Sequence, residues 1–368
     1  MAGHGRGDIG SVEFSARIVV IHCAAMSGLL DSAFVKAAAL RAGFHEVGVA
    51  RAEPLDPGPL DRVLAAGWEA DMAWLGTQRA KRLDPSRLLP GARSVVALAL
   101  SYRDAERPPP GPGEGEVARY ARGRDYHAVM KRKLKGLVAA LAARDPEARC
   151  FASSDLAPTM EKAWAERAGL GWIGKNGCLI TQRHGSWVLL ATLLLDRELE
   201  PDAPHGERCG SCEACLPACP TGAIVEPGYV DSRRCLSFWT IERRGEIPAG
   251  MAVRLGSHLF GCDDCQTCCP WNGAVELACD PELRPRDGQS AIPLESLLRL
   301  DRAEYARRFN GTSLARARFD GLGRNALLIA GGSGEPRWRP LVAAWLRSPH
   351  DGVRAAAAWA MARLGESG

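Results

Sequence analysis

The stretch CGSCEACLPACPTGA, residues 209–223, puts four cysteines into eleven positions, and nine of the chain's 13 cysteines fall between Cys209 and Cys269. Such a cluster is either a disulfide scaffold or a set of thiolates around metal. Small secreted domains need disulfides because they bury too little apolar surface. This chain has 368 residues, 46% of them hydrophobic, which is enough for two or three ordinary cores. A disulfide framework would also leave most of the chain unstapled, since only Cys23, Cys150, Cys178 and Cys279 lie elsewhere. No run of eighteen apolar residues indicates a membrane span, and ARIVVIHCAAM is too short and mixed for a signal peptide. The cysteines are read as metal ligands in a reducing, cytoplasmic compartment.

Spacing identifies the metal. Cys209, Cys212, Cys215 and Cys219, followed by Pro220, form C-x2-C-x2-C-x3-C-P, the bacterial ferredoxin run, whose fourth cysteine ligates the other cluster. Zinc hooks are usually paired C-x2-C units farther apart, without the terminal proline. The second group, CDDCQTCCPWN, offers Cys262, Cys265 and Cys269 but lacks the leading cysteine, which Cys235 in SRRCLSF can supply. The result is eight ligands for two [4Fe–4S] clusters. The expected partition is crossed, with Cys209, Cys212, Cys215 and Cys269 on one cluster and Cys219, Cys235, Cys262 and Cys265 on the other. Cys268 is surplus and is read as a small buried residue.

Two cubanes carry single electrons, and a free-standing ferredoxin needs only a short chain. Here about two hundred residues precede the motif, and they should hold the electron acceptor. They read as α/β. SAFVKAAALRAGF has helical spacing, with Asp31 and Ser32 as cap candidates, and HEVGVARAEPL is a strand entering a proline turn. SVVALALSY (94–102) and WVLLATLLL (187–195) suit buried strands. ERPPPGPGEGE (106–116) reads as a loop, and 126–143 as a helix with a basic start. Neither a dinucleotide nor a nucleoside-triphosphate fingerprint is present.

The segment SSDLAPTMEKAWAERAGLGWIGKNGCLI (153–180) is expected to hold a helix with Pro158 near its start and a glycine turn at its end. Asp155 just precedes it, and from spacing alone the favoured reading of Asp155 is an N-cap. The glycine-rich GLGWIGKNG either lets backbone approach a ligand closely or makes a tight corner.

Together, SSDLAPTMEKAWAERAGLGWIGKNG, the ferredoxin run, DSRRCLSFWTIERRGEIP and GCDDCQTCCPWN resemble bacterial epoxyqueuosine reductase, from about Met26 onward. The resemblance implies an iron–sulfur, cobalamin-dependent enzyme that reduces epoxyqueuosine to queuosine in the tRNA anticodon loop. It implies Asp155 as proton donor over the corrin, and Arg82, Lys175, Asn176, Leu179, Ser237 and Asp263 near the cobalamin. The crossed cysteine partition agrees with the family's. This sequence departs from the pattern at Cys268 and in about 25 extra N-terminal residues.

The chemistry is coherent. Opening and deoxygenating an epoxide needs two electrons, proton donation and a strong soft reductant, and reduced cobalamin recharged by low-potential cubanes provides the electrons. A carboxylic acid beside an apolar corrin is expected to have a raised pKa. In residues 301–368, 11 arginines against six acidic residues and no lysine give +5, while the whole chain is +4. GRNALLIAGG and VRAAAAWAMARLG start thirty residues apart and are separated by RPLVAAWLRS, the pattern of a HEAT-like helical repeat. Arginine faces of this kind bind phosphate. Lys162, Arg324 and Arg354 are the expected tRNA contacts.

The expected architecture is therefore multidomain α+β and α/β. It comprises a dispensable leader (1–25), an α/β cobalamin-binding catalytic domain (26–200), a ferredoxin-like two-cluster module (201–285) and a HEAT-like tRNA-binding region (286–368). A monomer drawing on an external low-potential electron donor is expected. A respiratory reductive dehalogenase would share the cofactors but calls for a twin-arginine leader and no arginine-rich tail. A plain electron-transfer protein would leave the large N-terminal part without a task.

Overall fold

The computed structural model describes residues 30–106, 108–273 and 275–365. The leader expected at 1–25, the start at Met26 and Cys23 lie outside the described residues. Asp31 caps the first helix, Ser32–Arg41, by accepting the Phe34 N–H at 2.7 Å. The strands Glu46–Arg51, Ser94–Ser101, Val188–Leu195 and Cys150–Ser153 form one sheet in that order.

All eight residues of Ser94–Ser101 are buried, because the sheet is covered on both faces. Val96, Leu98 and Leu100 point to one side, against Val129, Met130 and Leu137 of the long helix Tyr126–Arg144. Val95, Ala97 and Ala99 point to the other, against Trp164, Ala165 and Leu170. The apolar runs were read correctly as buried strands, but every pairing in this sheet is antiparallel, so this part is α+β in type. An unbroken apolar run reports that both faces are covered and says nothing about strand direction.

The proline-glycine stretch at 106–116 is not all loop. Its end belongs to the strand Glu114–Val117, which pairs in parallel with His258–Phe260 and antiparallel with Ala291–Pro293. That small sheet joins three of the expected segments. One apolar core also runs from Leu236 and Phe260 in the cysteine-rich region to Leu327 and Ala357 in the C-terminal helices. The helices Arg318–Ser333 and Asp351–Arg363 meet closely at Gly331, where a Cβ would lie 2.5 Å from Ala360 Cα. Among the described residues no helix is long and apolar enough to cross a membrane.

Candidate proton-donor turn and thiolate sites

The helix expected after Asp155 begins later than its sequence implies. It spans Glu161–Arg167, with Met160 at the cap position and no side-chain cap, and it ends, as expected, at Gly169 with φ +76°. Asp155 therefore caps nothing. It sits on a separate turn at φ +58°, a left-handed conformation that few non-glycine residues adopt and that costs on the order of 1 kcal/mol. The turn is braced by Glu161, whose Oε1 accepts the Asp155 N–H at 3.1 Å and the Thr159 hydroxyl at 2.7 Å.

The Asp155 carboxylate is 64% exposed, yet two side chains from the start of the long helix are aimed at it. The Tyr126 hydroxyl donates to Oδ2 at 2.5 Å, and His127 Nε2 stands 3.5 Å from the same oxygen. His127 Nδ1 is 2.8 Å from Asp125 Oδ1, and Asp125 also caps that helix through the His127 N–H. Burial raises the Asp155 carboxyl, but the hydrogen bonds from His127 and Tyr126 outweigh it and hold the group below its ordinary value. Burial lowers His127, but its two carboxylate partners overcome this and push it up to about 9. Near neutral pH the shared proton rests on the imidazole, one hydrogen-bond step from the exposed carboxylate. Sequence reading missed Tyr126, His127 and Glu161. Two proton carriers in the first turn of a capped helix were the available signal.

Of the other expected cofactor residues, Arg82 is buried over the Trp74 ring and within the field of Glu161 and Asp155. Its Nη1 donates to the Thr159 carbonyl at 3.3 Å, while its buried Nε has no acceptor. The GKNGC turn closes through Gly177 at φ +75°, which needs glycine. Asn176 binds the turn to the cysteine segment, donating to the Cys265 carbonyl at 3.1 Å and accepting the Cys178 N–H. Lys162 bridges to the same turn, 2.6 Å from the Gly177 carbonyl. Asp263 accepts the Arg119 N–H at 2.7 Å, and burial raises its carboxyl. Ser237 lies beside Cys235, whose thiol burial pushes up. Leu179 is a correction, because its side chain is buried in the sheet core with Trp164 and Leu194 and is not open to a ligand.

The thiols gather in two places. Cys209, Cys212, Cys215 and Cys269 line one hollow with Lys175, Asn176 and Trp271. Burial, then the neighbouring Cys268 and Cys269, push the Cys215 thiol up to about 11. The second group brings Cys235, Cys262 and Cys265 within one another's field. Burial opposes ionisation of Cys219, but hydrogen bonds from Thr221 and from the Ala223 N–H, 3.1 Å away, keep it below the ordinary thiol range. The twelve described cysteines are all free thiols. Cys268 is half-buried beside Cys215, not enclosed as expected.

Arg324 is the second correction. It is 1% exposed, and its guanidinium donates to the carbonyls of Arg243, Gly245 and Trp239 at 2.6–2.9 Å. Those carbonyls follow the Cys235 segment, so Arg324 locks the C-terminal helices to the cysteine region and cannot face a phosphate. Arg354 is partly exposed; it donates to the Ser348 carbonyl at 2.7 Å and pairs with Asp351.

Residues 82–155 match the family described as Epoxyqueuosine reductase QueG, DUF1730, and residues 208–272 match the 4Fe-4S double cluster binding domain. The epoxyqueuosine reductase of Gloeobacter violaceus is 45% identical over 83% of this chain and 97% of its own length. That of Xanthomonas campestris is 37% identical over 91% of this chain and 96% of its own. The fold is similar, with a TM-score of 0.82 and 32% identity, to a crystal structure of epoxyqueuosine reductase with an epoxyqueuosine-modified tRNA-Tyr stem loop, covering 90% of this chain and 89% of that one.

Proposed function

The chain belongs to the epoxyqueuosine reductase family, and from that premise we propose how its own residues serve the reaction. It is an oxidoreductase that reduces epoxyqueuosine to queuosine in tRNA, and it carries a double [4Fe–4S] cluster binding domain. Removal of the epoxide oxygen as water, leaving the alkene, consumes two electrons and two protons.

The observation that carries the reading is the exposed Asp155 carboxylate held between Tyr126 and His127. We assign Asp155 as the proton donor to the departing oxygen. His127 holds the proton at Nε2 at neutral pH and hands it to the ionised carboxylate before Asp155 passes it on, Asp125 keeps the imidazole oriented, and Tyr126 fixes Oδ2. The strained turn is over-determined by Glu161, which keeps the acid in place while it is exposed.

The cluster ligands in this reading are the crossed sets, and the crowded, non-disulfide thiols of the hollow fit iron coordination. Cobalamin fits the side of the molecule that carries Asp155. Exposed Leu156, next to the acid in the chain, and exposed Trp74, under the Arg82 guanidinium, offer apolar surface, and the buried Arg82 Nε has no acceptor of its own. Bound there, it would supply the low-potential two-electron reductant that the epoxide requires. Lys175 lines the first cysteine hollow. The C-terminal helices, read as a HEAT-like pair, present Arg354 to the tRNA backbone, with Lys162 nearer the site. The expected segment boundaries then mark chemical modules that share one core. We place the protein in the cytoplasm as a monomer fed by an external low-potential donor.

The test is anaerobic, pre-reduced protein incubated with an epoxyqueuosine-containing anticodon stem loop, followed by nucleoside analysis. Conversion to queuosine is expected, and its absence from protein holding two clusters and cobalamin would overturn the reading.

A further inference from the structure

A cavity of about 250 Å³ has no part in the chemistry above. Among the described residues, none of the Asp155 turn, the GKNGC turn or the Arg82–Trp74 stack lines it. The proline run 108–110, part of the stretch read from sequence as a loop, gives it a stiff apolar wall. Arg119 and Arg122, at the turn that follows the strand Glu114–Val117, bring two guanidiniums to it.

These cations are deeply placed. The side chains of Arg119 and Arg122 are 10% and 8% exposed, and Arg119 also lies 4.8 Å over the Trp187 ring. Three carboxylates line the same cavity. Asp263 Oδ2 accepts the Arg119 N–H at 2.7 Å, and Glu116 Oε1 stands 3.4 Å from Arg122 Nη2. Glu106, the only exposed one of the three, bridges two buried guanidiniums. Its Oε1 is 2.9 Å from Nη1 of Arg103, itself 6% exposed, and its Oε2 accepts from Arg119 Nη2. The Arg119 hydrogen bond is the main cause that holds the Glu106 carboxyl below its ordinary value. Arg103 Nε is buried without any acceptor, so this one carboxylate leaves the pair incompletely matched.

We propose that the cavity is a binding site for a small organic phosphate, whose phosphoryl group takes the place of the Glu106 carboxylate on Arg103 and Arg119 and whose body lies against Pro108–Pro110. Carboxylate and phosphoryl oxygens present the same acceptors to a guanidinium fork, so one replaces the other without rebuilding the donors. Glu106 is the carboxylate that can leave, because its charge moves into water and not into the interior. An apolar wall with a few fixed polar groups is the usual make-up of a small-molecule site.

The experiment is isothermal titration calorimetry of the full chain holding its clusters and cobalamin. Adenosine 5′-monophosphate is the probe, with inorganic phosphate and adenosine as the other arms. The monophosphate is expected to bind, inorganic phosphate to bind more weakly, and adenosine not to bind. Glu106→Gln removes the internal competitor's charge and should tighten the monophosphate by about tenfold, the worth of one charge-assisted hydrogen bond. Arg119→Gln should abolish binding. If Arg119→Gln does not fold, Glu106→Gln decides alone, since damage to the fold does not tighten a ligand. The proposal is overturned if neither phosphate binds, if inorganic phosphate binds alone, or if adenosine binds as well as its monophosphate. Unchanged or weaker binding in Glu106→Gln also overturns it, by placing the anion elsewhere. So does binding that only cobalamin-free protein shows and cobalamin displaces, because the cavity then belongs to the cofactor.

Discussion

The Tyr126 hydroxyl meets Asp155 Oδ2 at 2.5 Å, although one residue opens the long helix and the other sits on a strained turn after a different strand. The contact defines Asp155 as a held, exposed carboxylate. It also changes how the residue should respond to substitution.

Asp155→Asn is expected to fold and keep both clusters, because Asn tolerates the left-handed backbone and no helix cap is lost. Its single-turnover rate should fall by ~10²–10⁴, the usual contribution of a general acid. Asp155→Ala should be as slow and slightly less stable, since alanine fits φ +58° poorly. Near-wild-type reduction by Asp155→Asn would remove the residue from the mechanism.

His127 makes stability depend on pH. Its folded value lies above the ordinary 6.5, at about 9, so its stabilising contribution is complete below pH 6.5 and disappears as pH rises through about 9. Asp155 is exposed, which screens the pair, so the loss should be on the order of 1 kcal/mol. Urea unfolding at pH 6.5 and pH 9.5 should show this difference in the wild type and not in His127→Gln. Equal slopes with pH in both proteins would contradict the pairing.

The crossed ligands separate two cysteines only four residues apart in sequence. Cys215→Ala should damage the cluster shared with Cys269, and Cys219→Ala the one shared with Cys235. Iron counts with EPR of each variant distinguish them. Iron loss in Cys268→Ala with a spared Cys269→Ala would reverse the assignment of the C-P cysteine.

Arg324 and Arg354 should now behave differently. Arg324→Gln strands buried carbonyls of Arg243, Gly245 and Trp239 and should destabilise the fold by about 2–4 kcal/mol, read as a lower thermal midpoint. Arg354→Gln should leave stability near wild type and reduce the salt dependence of tRNA binding by roughly one log unit. An unchanged salt slope in Arg354→Gln would take that residue out of the tRNA surface.

What the sequence by itself determined is whatever local spacing encodes. The C-P runs and their eight cysteines, the caps at Asp31 and the end at Gly169, and the doubly buried strands all follow from short-range geometry and apolar period. The tertiary structure alone decided matters set by residues far apart in the chain. The antiparallel sheet direction was invisible because a fully buried strand has no polar face to orient it. Leu179 and Arg324 carried the right chemistry for ligand contact, but packing turned one into the core and spent the other on backbone carbonyls. Asp155 looked like a cap because its spacing fits one; its true partners, Tyr126 and His127, come from another element, and only their approach lowers its pKa against the burial that would raise it. Charge and burial act through distance in space, and one-dimensional spacing does not contain that distance.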